Sequence, residues 1–229
     1  MQSLTITFIR HAESLANADP RNLICGQNVS VGLTSLGEQQ ALALGRSLST
    51  CQFDDVYSST AVRAQQTCQL ALGREPDCST SQLLEADAGD FTGLSRTTYD
   101  LPKIRAQLVA DNWNFIPGFV IKGESQHQVA DRMIKWVNDR LNQYNGNKKI
   151  VAFTHGLAIK YMMAELLNTD RSQAHLNRID NTSITELTFI DRVLQPVIRS
   201  NDIGHLLLND HIHSPSINNL ACTMPSFCL

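Results

Sequence analysis

Residues 4–9, Leu4-Thr5-Ile6-Thr7-Phe8-Ile9, are a short run of apolar and β-branched side chains that stops at Arg10-His11. Such a run reads as a buried β-strand, because branched and aromatic side chains fit a pleated surface covered on both faces. A second run, Lys149-Ile150-Val151-Ala152-Phe153-Thr154, also stops at a histidine, His155. Asp54 to Ser58 is a further short strand between them. Helical spacing fills the intervals. Leu36, Ala41, Leu44 and Leu48 follow Ser35-x-x-Glu38, which resembles a capping box. Ala61 to Leu72 reads as a second helix. Val129, Met133, Trp136, Val137, Leu141 and Tyr144 form the apolar face of a third, behind Ser125-x-x-Gln128, and a fourth runs from His155 to about Leu167. The stretch from Arg10-His11 to about Leu33 reads as a polar loop, and Ser183 to Ile190 and Val193 to Ser200 as two strands joined by a tight turn. Strands alternating with helices require crossover connections. The expected fold class is therefore α/β: a single domain over residues 1–210, its mainly parallel sheet sandwiched by helices. Residues 94–122, which show no single period, are expected to form a small inserted cap, and residues 211–229 a C-terminal tail.

Composition narrows the function classes. At 229 residues, 42% hydrophobic and 18% charged, the chain is neither disordered nor in need of staples. Nineteen Lys+Arg against 22 Asp+Glu leave a net charge of −3, with no basic field for a nucleic-acid partner. No apolar run approaches the ~18 residues that span a bilayer, and Gly156 to Leu167 is interrupted by Lys160 and Glu165. Met-Gln-Ser-Leu-Thr has no basic region followed by an apolar one, so no secretory signal is expected. The six cysteines (25, 51, 68, 78, 222 and 228) contain no C-x-x-C pair and are expected to be reduced and mostly structural. A cytoplasmic protein with no membrane partner is the expectation. Several chemistries lack their motifs: there is no G-x-G-x-x-G, no G-x-S-x-G and no H-E-x-x-H, and Glu38 stands where a P-loop needs lysine.

Two histidines remain, each immediately after a strand. Ligand sites in open α/β sheets form beyond the carboxyl ends of the strands, so neighbouring strands would bring both imidazoles to one crevice. Arg10 precedes His11, and Arg63 falls at the start of the helix after the second strand, where a cation opposes the helix dipole. Two arginines, two histidines and nearby helix N-termini suit a phosphoryl group.

Arg10-His11-Ala12-Glu13-Ser14-x-x-Asn17 resembles the R-H-G-E-[ST]-x-x-N signature of the histidine phosphatase superfamily, the phosphoglycerate mutase-like family. Ser58-Ser59-x-x-x-Arg63-Ala64-x-x-Thr67 is similar to its second-arginine motif, and Leu84-Glu85-x-x-x-Gly89-Asp90-Phe91-x-Gly93 to its acid motif. Gly123-Glu124-Ser125, Thr154-His155-Gly156 and Asn181-x-Ser183-Ile184-x-Glu186-Leu187 follow in family order. Ala12 stands where the family has Gly, and Cys25 before Gly26 where many members have Thr or Ser.

The resemblance implies a phosphohistidine mechanism. His11 would be the nucleophile, and Arg10, Arg63 and His155, the last best as imidazolium, would surround the phosphoryl group. Glu85 would protonate the leaving alcohol and then activate water. Asn17, Cys25, Gly26 and Gly156 are expected at the phosphate or leaving group. No metal is required, since the arginines supply the charge; His205, His211 and His213 lack the carboxylate or thiolate partners of a metal site. Bisphosphoglycerate-dependent mutases continue the acid motif with Arg-His-Tyr, whereas Ala86-Asp87-Ala88 follows Glu85 here. The cations Arg96, Lys103, Arg105 and Lys122 of the inserted segment are sparse among Trp113, Phe115, Pro117 and Phe119. The expected activity is therefore hydrolysis of a small phosphomonoester without cofactor. The alternatives are a phosphoglycerate mutase using 2,3-bisphosphoglycerate and a non-catalytic module that binds phospho-ligands. A homodimer through a sheet edge is compatible with this fold.

Overall fold

A computed structural model describes residues 1–95, 106, 110, 123–169 and 177–207. In chain order the elements are β1 (Ser3–Arg10), α1 (Leu15–Ala18), α2 (Ser35–Leu48), β2 (Asp55–Ser59), α3 (Val62–Leu72), β3 (Cys78–Thr80), α4 (Gln126–Gln143), β4 (Lys148–Thr154), α5 (Gly156–Leu166), β5 (Ile184–Ile190), β6 (Val193–Leu194), β7 (Arg199–Asp202) and α6 (Gly204–Leu207). The sheet order is β3-β2-β4-β1-β5-β6, with β7 also paired to β5. β3, β2, β4 and β1 run parallel, and β5 closes the sheet antiparallel to β1. The α/β class, the mainly parallel sheet and the helices on both faces agree with the sequence.

Period-two alternation along β1 divides the core. Leu4, Ile6 and Phe8 face a cluster with Met133 and Trp136 of α4 and Ile159 and Met162 of α5. Ile9 faces the other side, with Leu44 and Leu48 of α2 and Ala64 and Cys68 of α3. Trp136 is 1% exposed and meets Phe8 and Tyr57 edge to face, at centroid distances of 5.8 and 5.3 Å.

Local differences from the sequence reading have identifiable causes. The cap of α2 is Thr34, whose hydroxyl accepts from Gly37 N, so Ser35 is the first helical residue rather than the cap. Gly37 is where α2 crosses the strand-one loop: a Cβ there would lie 2.0 Å from the Glu13 carbonyl. Ser125 and Gln128 do form the capping box of α4. The polar loop after β1 contains α1 and a bridge between Ser14 and Leu33. β3, only three residues long, shows no periodicity to detect. The expected strand Val193 to Ser200 is two pieces, β6 and β7, both against β5. Pro196 lies in the gap and has no N–H to continue the ladder. Most of the expected cap, the tail 211–229, His211 and His213 lie outside the described residues.

Trp136→Ala should destabilise the protein by about 3–5 kcal/mol, the usual loss for a buried tryptophan cut to alanine. Urea unfolding followed by circular dichroism measures it.

Candidate active site

His11 follows β1 and His155 follows β4. Because these strands pair in parallel with Arg10 opposite Thr154, both histidines leave the sheet at the same end. Their ring centroids are 5.1 Å apart. His11 Nδ1 lies 2.7 Å from the Ala12 carbonyl. A carbonyl only accepts, so Nδ1 carries the proton and Nε2 keeps its lone pair. The main chain around the ring is held on two sides. Ala12 N donates to Thr67 Oγ1 at 2.9 Å, and Asn181 Nδ2 donates to the His11 carbonyl at 2.9 Å. Burial, then Arg63 and Arg10, lower the His11 pKa well below its ordinary value of 6.5. A neutral imidazole with one fixed tautomer is what nucleophilic attack requires.

His155 caps the N-terminus of α5 and is fully buried. Its Nε2 lies 2.7 Å from Ser59 Oγ, at the end of β2. Its Nδ1 is buried with no hydrogen-bond partner, as is Arg63 Nε. Buried polar atoms of this kind are ordinarily satisfied, and an oxygen-rich anion would satisfy both. Arg63, in the first turn of α3, is 1% exposed. Its Nη1 donates to the Asn28 carbonyl at 2.7 Å and its Nη2 to the Gly26 carbonyl at 3.3 Å. Arg10 Nη1 donates to the Ile179 carbonyl at 2.6 Å. The Arg10 side chain passes Gly156 so closely that a Cβ there would lie 3.4 Å from Nε.

The Glu85 carboxylate docks on the same helix start that His155 caps. Its Oε1 accepts from Ala86 N at 2.9 Å and Ala158 N at 3.1 Å, and its Oε2 from Leu157 N at 3.3 Å. Lys160, half-buried on α5, adds a cation to this side; burial and Arg10 lower its pKa while Glu85 opposes them. Gly26 closes the other side with φ +51°, and a Cβ there would lie 2.7 Å from Thr92 Oγ1. Cys25 is half-buried, with its sulfur 4.0 Å from the Asn28 carbonyl. Asn17 is exposed, and its Oδ1 accepts from Ser14 N at 3.1 Å and from Asn181 Nδ2 at 3.3 Å. That commits the Asn17 oxygen to structure and leaves Nδ2 for a ligand.

A family model of the histidine phosphatase superfamily (branch 1) matches residues 6–202. The chain belongs to that superfamily. The probable phosphoglycerate mutase GpmB of Citrobacter koseri is 26% identical over 212 residues, 89% of this chain and 95% of that protein. A mutant phosphoserine phosphatase of Entamoeba histolytica, solved with phosphoserine, superposes with a TM-score of 0.76 at 26% identity, over 89% of this chain and 99% of that one. The phosphoglycerate mutase of Bacillus anthracis shares the fold, with a TM-score of 0.76 at 20% identity over 89% of this chain and 95% of that one.

The structure of this superfamily member brings Arg10, His11, Arg63, Glu85 and His155 together, as the motif positions implied. One detail differs. Burial, then Arg63, His11 and Arg10, lower the His155 pKa well below 6.5, so the protein favours a neutral ring over the expected imidazolium. A phosphoryl dianion would supply the opposing field. Ser59, Thr67 and Asn181 do not stand out in the sequence as individual residues. All three stand inside the quoted motifs, and each acts by orienting a neighbour. His205 is buried and bonded to Thr182 Oγ1 at 2.9 Å, and its pKa is lowered to about 4, mainly by burial. Among the described residues no three His, Cys, Asp or Glu gather as metal ligands. Cys68 is buried, its thiol pKa pushed up to about 12, whereas Cys51 and Cys78 are exposed rather than structural.

The three lowered histidines set a pH dependence. The unfolded chain takes up their protons near pH 6.5, the folded protein only further down. The unfolded state then binds more protons in that window, so stability is complete above about pH 6.5 and falls as pH decreases. The melting temperature should drop between about pH 7.5 and about pH 5. The drop should be shallower in His155→Asn, whose amide does not titrate.

Proposed function

We propose that the protein is a metal-independent phosphomonoesterase that hydrolyses small phosphorylated metabolites through a phosphohistidine on His11. The observation that carries this reading is the His11 Nδ1 contact with the Ala12 carbonyl, which directs the Nε2 lone pair away from the backbone beside Arg10, Arg63 and His155. His11 Nε2 attacks phosphorus as the bond from phosphorus to the ester oxygen breaks. Glu85 gives its proton to the departing alkoxide. Water then attacks the phosphohistidine, Glu85 takes one of its protons, and the N–P bond breaks to free phosphate and His11. Arg10, Arg63 and the Nδ1 edge of His155 hold the equatorial oxygens, where charge accumulates. Asn17 Nδ2 and the Cys25–Gly26 turn are the proposed leaving-group contacts, and Gly156 leaves room for Arg10.

A second reading, a mutase dependent on 2,3-bisphosphoglycerate, is favoured by the names of the Citrobacter and Bacillus proteins. Against it, the segment after Glu85 carries Asp87 between two alanines, where a bisphosphorylated ligand would meet a carboxylate. A non-catalytic module is disfavoured by the five reactive side chains being present together. On this reading the partner is a small phosphomonoester rather than a nucleic acid or a membrane, the location is cytoplasmic, and a homodimer is compatible with the fold. Among the described residues no helix is long and apolar enough to cross a membrane.

His11→Ala should abolish both turnover and acid-labile phosphoenzyme; normal phosphoenzyme in the variant would overturn the nucleophile. Glu85→Gln should lose about 10²–10⁴-fold on alkyl phosphates and much less on an activated aryl phosphate, whose leaving group needs little protonation. Vanadate should inhibit and a chelator should not; activity lost to the chelator and restored by a divalent ion would overturn metal independence. In a coupled enolase assay with 3-phosphoglycerate, added 2,3-bisphosphoglycerate should not accelerate flux. Stimulated flux above the rate of phosphate release would establish the mutase.

A further inference from the structure

Glu85 is fixed at both ends. Its carboxylate is held by the N-terminal turn of α5, and its carbonyl by two side chains from elsewhere in the sequence, Arg132 and Gln27, which Glu124 ties together. Arg132 of α4 donates from Nη1 to the Gln82 carbonyl at 2.8 Å and the Leu84 carbonyl at 3.0 Å. Its Nη2 donates to the Glu85 carbonyl at 3.4 Å and to Glu124 Oε2 at 2.7 Å, and its Nε to Glu124 Oε1 at 2.8 Å. Gln27 Nε2 donates to the Glu85 carbonyl and to Glu124 Oε2, both at 3.0 Å. Glu124 Oε2 also accepts from Asp87 N at 3.1 Å. The Arg132 and Glu124 side chains are only 17% and 20% exposed, so the bidentate pair sits largely out of water, where its geometry is well defined.

Gln27 lies between Gly26 and Asn28, the two residues whose carbonyls Arg63 holds. One short segment is therefore gripped from the phosphoryl side by Arg63 and tied to the Glu85 peptide by Gln27. We propose that Gln27, Glu124 and Arg132 are positioning residues that set the distance between the phosphoryl group bound at Arg63 and the proton carried by Glu85. None of the three touches the reacting atoms; they act through the Glu85 main chain. Proton transfer needs the acid within hydrogen-bond reach of the leaving oxygen, and a displacement of about 1 Å from a remote change can cost roughly 10²-fold. This proposal rests on the reading of Glu85 as the proton donor.

The test compares Gln27→Leu and Arg132→Lys with Glu85→Gln on β-glycerophosphate and p-nitrophenyl phosphate. Thermal unfolding and vanadate inhibition are measured on each variant. Gln27→Leu and Arg132→Lys should lose about 10- to 100-fold in kcat/KM on the alkyl ester and less than about threefold on the aryl ester. Vanadate affinity should stay at the wild-type level, because the phosphoryl pocket is intact. Combining Gln27→Leu with Glu85→Gln should cost little beyond Glu85→Gln alone, since an acid already removed cannot be mispositioned. Equal losses on both esters, weakened vanadate binding or multiplying losses in the double variant would each overturn the positioning assignment. If Arg132→Lys fails to fold, Gln27→Leu, on a half-buried loop side chain, decides alone. Should Glu85→Gln lose equally on both esters, the acid assignment falls and this proposal with it. Leaving-group dependence in Glu85→Gln but not in Gln27→Leu overturns the positioning assignment alone.

Discussion

The parallel pairing of β1 with β4 places Arg10, His11 and His155 at one end of the sheet. The register runs from Leu4 opposite Lys148 to Arg10 opposite Thr154, and His11 N continues it with a 2.9 Å bond to the Thr154 carbonyl. Side chains alternate across a strand, so a shift of one residue would turn each of them toward the opposite cluster. Ile6, Phe8, Ile150 and Ala152 pack against α4 and α5, while Ile9, Val151 and Phe153 pack against α2 and α3. The hydrophobic pattern therefore fixes the register, and the register sets the His11–His155 distance. Core packing and catalytic geometry are one constraint here.

Around that pair the chain accepts an electrostatic cost. The Arg63 guanidinium is buried, its hydrogen-bond partners among the described residues are main-chain carbonyls, and burial lowers its pKa. Two buried histidines beside two arginines repel any further positive charge. Such an arrangement opposes folding, and an anion bound there would offset it. Arg63 Nε and His155 Nδ1, two of the buried atoms without partners among the described residues, both belong to this site. The counterweight lies in the two apolar clusters, whose interlocked aromatic and aliphatic side chains do not take part in the chemistry.

Glu85 shows how a loop residue acquires strand-like precision. It belongs to neither a helix nor a strand, yet its carboxylate is set by the start of α5 and its peptide by Arg132 and Gln27. Those partners come from separate parts of the chain, 47 and 58 residues away. They meet because α4 and α5 pack on one face of the sheet, while Arg63 holds the Gly26 and Asn28 carbonyls on either side of Gln27. Glu85 and Arg63 are thereby linked through hydrogen bonds rather than through one rigid element.

The α/β class, the strands around Ile6 and Val151, the two strand-end histidines and the second arginine are all legible in the chain itself. Runs of β-branched residues and helical periodicity are local properties, and the motif residues keep their spacing. Ser59, Thr67, Asn181, Gln27 and Arg132 are not legible as functional, because a hydroxyl or amide becomes a positioning group only through what it touches. Arg132 is half-buried on α4 because carbonyls from residues 82–85 converge on it. The lowered pKa of His155 is likewise not legible, since a pKa is set by burial and by arginines remote in sequence. The break in the final strand could have been anticipated from Pro196, whereas three-residue β3 could not. Local chemistry names the reacting groups, and long-range packing sets their protonation, their distances and the partners that hold them still.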